Sequence, residues 1–336
     1  MPVPKRSSVI YLAAAVVAYF ALWALTPRAV FLPLAVNAID QALPWIHPRV
    51  ANVLSLLAIA ITAAPTIVFM AVQIAIVYYF ALLKLNVWKS LLWLIGGLAA
   101  AAGLLGLIVW RSGFVANAHR LPNWQELAYI AARYPHPLKM PLSVCLMLVP
   151  ASVGHMVSLR IKDRNLILPV VMFAAWIDLW TVTQGPVSVV MKKAPAVVEA
   201  VSAPIPQAGA GAFVPVTLVG PGDFLFMGLV FAAVHRLGMD SVRNFWFIYA
   251  AMTLGMLAVM FGLVSFLPAL ILLAAAVVAA NWRSFHLSRQ EIISVAVVAA
   301  VLLAALPLVS AVLRPADEKP APASPRPAAS PSGARR

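Results

Sequence analysis

Two carboxylates lie inside long apolar runs of the sequence, where a charged side chain is costly. Asp178 and Asp223 are the acidic residues in such runs, whereas the others fall in polar connectors, at a segment start or in the tail. A carboxylate at membrane depth costs roughly 2.5–3.5 kcal/mol even on the lenient insertion scale. Neither run holds a nearby Lys or Arg as an obvious salt-bridge partner. We therefore regard both aspartates as candidates for chemistry.

The positions of the two aspartates predict that their carboxyls lie at one level. Asp178 lies seven residues before Gly185-Pro186, and Asp223 lies eight residues after Pro215. At about 1.5 Å per helical residue, each is roughly 10–12 Å inside the same membrane face. Two nearby carboxyls in an apolar site share a proton, so one can take a proton from water while the other protonates a substrate carbonyl. The same pair also suits a proton relay in a transporter, or two polar residues bonded to neighbouring helices.

The residues before Asp223 favour an interruption of regular helix. Gly220 and Gly222 permit backbone shapes and close approaches that other residues do not, and Pro221 lacks an amide hydrogen. Irregular backbone at membrane depth is tolerated only beside protein or a water-filled cavity. Because a hydrolase needs water, this context favours hydrolytic chemistry.

The composition requires that membrane helices position these residues. The chain has 336 residues, of which 63% are apolar and only 10% charged, and the net charge is +14. A soluble domain carries about 25% charged residues. The basic residues lie mostly between apolar runs, as in loops beside anionic lipid, so we expect a lipid bilayer as partner and no nucleic acid.

Apolar runs long enough to span a bilayer define the predicted architecture. We expect an all-α, polytopic transmembrane helix bundle with about nine membrane helices, the first of them an uncleaved helix rather than a signal peptide. The protein is thus predicted to be an integral, multi-pass membrane protein, in the plasma (inner) membrane if the source is prokaryotic. The predicted segments cover residues 9–26, 51–82, 88–110, 140–159, 166–185, 215–236, 244–264, 267–282 and 290–313.

Three separated motifs resemble those of the presenilin-like GxGD intramembrane aspartyl proteases. They occur in the family order and span about residues 166–282. They are Asp178-Leu179 with Gly185-Pro186, then Gly220-x-Gly222-Asp223-Phe224-x-Phe226, and then the Pro-Ala-Leu motif in Leu267-Pro268-Ala269-Leu270.

The resemblance implies an intramembrane aspartyl endopeptidase that hydrolyses peptide bonds of transmembrane substrate helices. Asp178 and Asp223 would be the catalytic dyad, and no metal or other cofactor is implied. A further set of residues would bind and position the substrate, partly by pairing with it as an added strand. This set is Val216, Thr217, Leu218, Val219, Gly220, Gly222, Pro268, Ala269 and Leu270.

The chain also departs from the family pattern. Ile177 stands where the family usually has tyrosine, and Pro221 is the variable residue of GxGD. Four segments, not five, precede the Asp178 helix, and one segment follows the Pro-Ala-Leu helix. The predicted organisation is N-terminal membrane helices (1–165), a presenilin-like catalytic core (166–282), an additional membrane helix (283–313) and a disordered Pro/Ala/Ser/Arg-rich tail (314–336).

Other chemistries lack their sequence signatures. The sequence has no His-Glu-x-x-His, no Gly-x-Ser-Gly and no phosphate loop, and its histidines lack ligand spacing. Cys145 is the single cysteine, which excludes an intrachain disulfide. Two alternatives to the protease stay open: a transporter or channel using the two aspartates as a proton or cation site, and a catalytically inactive protease-like scaffold. The sequence does not indicate accessory subunits or an oligomeric state.

Overall fold

The structure, a computed structural model, describes residues 5–28, 48–133, 137–183, 190, 193–206, 215–260, 263–264 and 268–312. These residues are mostly helical, with short 3₁₀ turns at Thr26–Arg28 and Trp282–Ser284. The elements in chain order are α1 Lys5–Leu25, α2 Pro48–Ala81, α3 Val87–Arg111, α4 Phe114–Ala118, α5 Trp124–Arg133, α6 Lys139–Ser158, α7 Ile167–Thr183, α8 Pro195–Val201, β1 Ala203–Pro206, β2 Pro215–Val219, α9 Pro221–Arg236, α10 Ser241–Met260, α11 Ala269–Asn281 and α12 Arg289–Val312.

Each predicted apolar segment overlaps a helix, but fewer of these helices qualify as membrane spans than the nine expected. In the described part of the chain, five stretches are long and apolar enough to cross a membrane. They are Ser8–Leu25, Ala63–Ala81, Val87–Arg111, Lys139–Ser158 and Ser241–Val259. Helices α7 and α11 are apolar but shorter. The protein is therefore a mostly helical chain whose long apolar helices are compatible with a membrane protein.

The all-α prediction missed a two-stranded antiparallel sheet formed by β1 and β2. The segment expected to be helical from residue 215 is extended up to Val219, and its helix begins at Pro221. The reason is local, because β-branched residues dominate residues 216–219 and proline fits the first position of a helix. Asp223 therefore lies in the first turn of α9, not two turns inside a helix as the depth argument assumed.

Helices α6 and α9 form the centre of the bundle. Helix α6 packs against α3 and α9, α9 also contacts α2, and α11 packs between α7 and α10. Nearly every residue from Phe224 to Val234 is buried or half-buried. A helix that is apolar all round belongs in the interior of a bundle. The middle of the helix that carries Asp223 is thus packed on all sides.

Glycines let α6 and α9 approach to backbone contact. A Cβ atom added at Gly154 would overlap the carbonyl oxygen of Leu225 and lie 2.7 Å from the amide nitrogen of Leu229. A Cβ at Gly228 would lie 2.7 Å from the carbonyl oxygen of Ala151. Because these obstacles are backbone atoms, a side chain at either position forces the two helices apart.

We expect Gly154→Ala to lower the free energy of unfolding by about 1–3 kcal/mol through overpacking. Gly106→Ala on α3 is the matched control, since a Cβ there meets nothing within 4 Å and alanine has the higher helix propensity. Thermal unfolding of both purified variants in detergent measures the difference. Equal melting temperatures for the two variants would contradict the close crossing of α6 and α9.

Candidate active site

Asp178 lies in the last two turns of α7 and is bonded to the start of α11. Its carboxylate oxygen Oδ2 accepts a hydrogen bond of 2.9 Å from the backbone amide of Leu270. Leu270 is the second residue of α11, where an amide has no acceptor within its own helix. The Pro-Ala-Leu segment thus supplies a backbone donor, at the positive end of a helix, to one of the two candidate carboxylates.

Asp223 is held by the residues directly before it. Its Oδ2 atom accepts a hydrogen bond of 3.2 Å from the backbone amide of Gly220, and its own amide donates to the Gly220 carbonyl at 3.2 Å. These bonds form a helix cap, and a carboxylate in the first turn suits the helix dipole. Capping alone explains an aspartate here, so its relation to Asp178 decides whether it forms a site.

The two aspartates are close enough to interact electrostatically. The charge of Asp178 acts on the Asp223 carboxyl, and both residues are half-buried. Helices α7, α9 and α11 also contact one another in pairs. The structure therefore brings together three sequence-predicted parts of the site: Asp178, Asp223 and the stretch Pro268–Leu270. Gly185-Pro186 and Leu267 lie outside the described residues.

Gly220 and Gly222 do not adopt the backbone shapes that glycine alone permits. Gly220 has φ −72° and ψ 156°, which any residue adopts. Gly222 does not have a positive φ either, and a Cβ added there would meet nothing within 4 Å. The expected interruption of regular helix before Asp223 is nevertheless present, since Gly220 is extended and α9 begins only at Pro221. What Gly222 provides is open space one residue before Asp223, where another backbone can approach.

The strand predicted at Val216, Thr217, Leu218 and Val219 is present, but it already has a partner in its own chain. Strand β2 pairs with β1 in the register Ala203↔Val219, Pro204↔Leu218 and Ile205↔Thr217. The β1 residues Ala203 and Ile205 are buried. In the described part of the chain no strand lies on the other edge of β2. Any further strand would therefore join β2 on that edge.

Two tryptophans lie two residues before and two residues after Asp178, and the sequence analysis did not single them out. Trp176 and Trp180 stack with ring centroids 6.3 Å apart. Trp176 and Leu179 also line an apolar cavity of about 720 Å³ between α7, α11 and α12. The available signal was the four-residue spacing of the two tryptophans, which places them on one face of α7. Membrane helices, however, commonly carry tryptophan as an interface anchor.

The described residues contain no group of three or more His, Cys, Asp or Glu side chains that could hold a metal ion. What the arrangement offers chemically is two carboxyls, each of which accepts a hydrogen bond from a backbone amide. Searches against protein-family models, curated proteins and solved structures each found no match to this chain.

Proposed function

We propose that the protein is an intramembrane aspartyl endopeptidase with a presenilin-like core, in which about nine helices cross the membrane. The observation that best supports the proposal is the bond from the Leu270 amide to Asp178, because it joins the Pro-Ala-Leu segment to one of the two candidate carboxylates. Such a protease needs this segment beside its carboxyls, whereas a proton relay does not. The natural substrates would be transmembrane proteins or peptides.

The proposed reaction uses the dyad and one water molecule. One carboxylate takes a proton from water, whose oxygen attacks the peptide carbonyl carbon, while the other carboxyl protonates the carbonyl oxygen. The carbon–nitrogen bond then breaks, and the leaving amine takes up a proton from the dyad. The Leu270 amide fixes Oδ2 of Asp178 during these steps.

Substrate capture is proposed to occur by strand addition. A membrane helix must unwind before water reaches its peptide bonds, and each exposed backbone group then costs several kcal/mol in apolar surroundings. Backbone groups on the second edge of β2 could satisfy those of the substrate. Strand β2 leads through Gly220 directly into the turn that carries Asp223, so a peptide on this edge would pass near the dyad.

The rival proposals are a transporter or channel with a proton or cation site at Asp178 and Asp223, and an inactive protease-like scaffold. Neither gives the extended segment before Asp223 or the Leu270 bond a function of its own. We therefore keep them as outcomes of the experiment.

Purified protein should cleave some members of a panel of membrane-helix peptides, and Asp223→Ala should abolish this cleavage. The expected loss is at least about 10²–10⁴-fold, because the change removes one of the two groups that transfer protons. Asp163→Ala serves as the control, since Asp163 is an exposed aspartate in the loop between α6 and α7. Mass spectrometry of the products measures cleavage. Failure to cleave any member, with proton flux in liposomes that depends on Asp223, would favour the transporter.

A further inference from the structure

An open groove of about 1070 Å³ lies between the short helices α4 and α5 on one side and the start of α8 on the other. Helices α4 and α5 follow the end of α3 and precede the start of α6, while α8 follows the end of α7. The start of α9, which carries Asp223, is reached from α8 through the sheet. The groove and the candidate dyad therefore belong to the same end of the bundle.

The groove presents polar groups outside the apolar helices. Asn117, Gln125 and Tyr129 line one wall, and the residues from Lys193 to Val197 line the other. A mixed apolar and polar cleft of this size is typical of a binding site. Helix α5 is amphipathic, so it can rest on the bundle with one face and present its polar face outward.

The charged residues that line the groove are Glu126 and Lys193. Its acidic residue, Glu126, is already neutralised by a two-bond pair with Arg120 at 2.6 and 2.8 Å. Arg120 and the amide of Asn123 hold the pKa of Glu126 down to about 2. Lys193 is the cation among the residues that line the groove, and it is exposed. The groove therefore favours an anionic ligand.

Helix α8 connects the groove to the sheet along the chain. Helix α5 packs against α8, and Val201 at the end of α8 leads through Ser202 into β1. Ala203 of β1 pairs with Val219, next to Gly220. The seven residues of α8 rise only about 10 Å. A peptide extended at about 3.3 Å per residue needs roughly four to six residues to run from β2 to the groove.

We propose that this groove binds the polar flank of the substrate, the segment that leaves the membrane on the dyad's side, and that Lys193 selects acidic residues there. The inference rests on the proposed function, since the groove would bind another part of the same substrate peptide that pairs with β2. It adds a specificity that depends on substrate residues about four to six positions beyond those paired with β2.

The test uses three peptides with one transmembrane sequence and acidic, neutral or basic flanks. With wild-type protein we expect KM to be about two- to fivefold lower for the acidic than for the neutral flank, which is the effect of one exposed charge pair. Lys193→Glu should reverse the order of the acidic and basic peptides. Lys193→Gln should remove the preference. Lys162→Glu, an exposed lysine at the other end of the bundle, is the control and should behave like wild type.

Binding to Asp223→Asn protein in nanodiscs separates this inference from the proposed function. The same ranking of dissociation constants, reversed by adding Lys193→Glu, would support the groove even if no peptide is cleaved. Cleavage of all three peptides with equal KM and equal binding would overturn the groove while leaving the protease intact. Absence of both cleavage and flank-dependent binding would overturn both proposals.

Discussion

Asp178→Asn protein should fold normally and lose peptide cleavage by about 10³-fold or more. Asparagine has the shape of aspartate, and its side-chain oxygen can still accept the bond from the Leu270 amide. It cannot act as a carboxylate base or carry the shared proton. The expected result is therefore a loss of kcat with little change in melting temperature or in substrate binding.

A matched control for this experiment is Asp240→Asn. Asp240 accepts a bond from the amide of Arg243 at 2.9 Å and so caps α10, and asparagine caps a helix equally well. This variant should cleave like wild type.

The wild-type rate should also fall on both sides of a pH optimum, since the reaction needs one protonated and one ionised carboxyl. Full activity of the Asp178→Asn protein would show that the proposed two-carboxyl mechanism is wrong.

The second large effect is expected for Pro268→Ala. Proline lacks an amide hydrogen and ends regular helix on its N-terminal side, and here Pro268 is extended, with φ −62° and ψ 120°, directly before α11. Alanine would let α11 continue backwards by a turn. The Leu270 amide would then bond a carbonyl of its own helix instead of Asp178.

Loss of one hydrogen bond to a charged group corresponds to about 1.5–3 kcal/mol, or roughly 10–100-fold in rate. We expect the fall mainly in kcat, while thermal unfolding stays within a few degrees of wild type. Pro137→Ala, at an exposed proline before α6, should change neither quantity. If Pro268→Ala protein cleaves as fast as wild type, the positioning of Asp178 by Leu270 is wrong, even if both aspartates are catalytic.

The parts of the site that the sequence could indicate are those with a local chemical signal. Asp178 and Asp223 stood out because ionisable residues are rare in apolar runs. The strand at Val216–Val219 had β-branched composition. The contact between Leu270 and Asp178 was expected only from the resemblance, because 92 residues separate them and no local pattern encodes such a pairing.

The features that the sequence did not reveal depend on tertiary structure. Strand β1 contains Pro204 and Pro206, a composition that argues against a strand unless it lies at an edge. Helices α5 and α8 are short, and their helical structure is supported by packing against each other. The apolar run that begins at residue 215 includes both strand β2 and helix α9, so hydrophobicity alone did not mark the residue at which the helix begins. As a result the depth of Asp223 was inferred from the wrong starting residue.

The two prolines of β1 limit the number of extended peptides that one molecule can bind. Successive residues of a strand direct their amides to opposite edges, and Pro204 and Pro206 have no amide hydrogen to donate. Ala203 and Ile205 must therefore provide the β1 donors to β2, which leaves the outer edge of β1 without donors at residues 204 and 206. A sheet built in this way can grow on its β2 side alone. One molecule should consequently hold a single extended peptide, so an inhibitor that binds as a strand would titrate the protein at one to one.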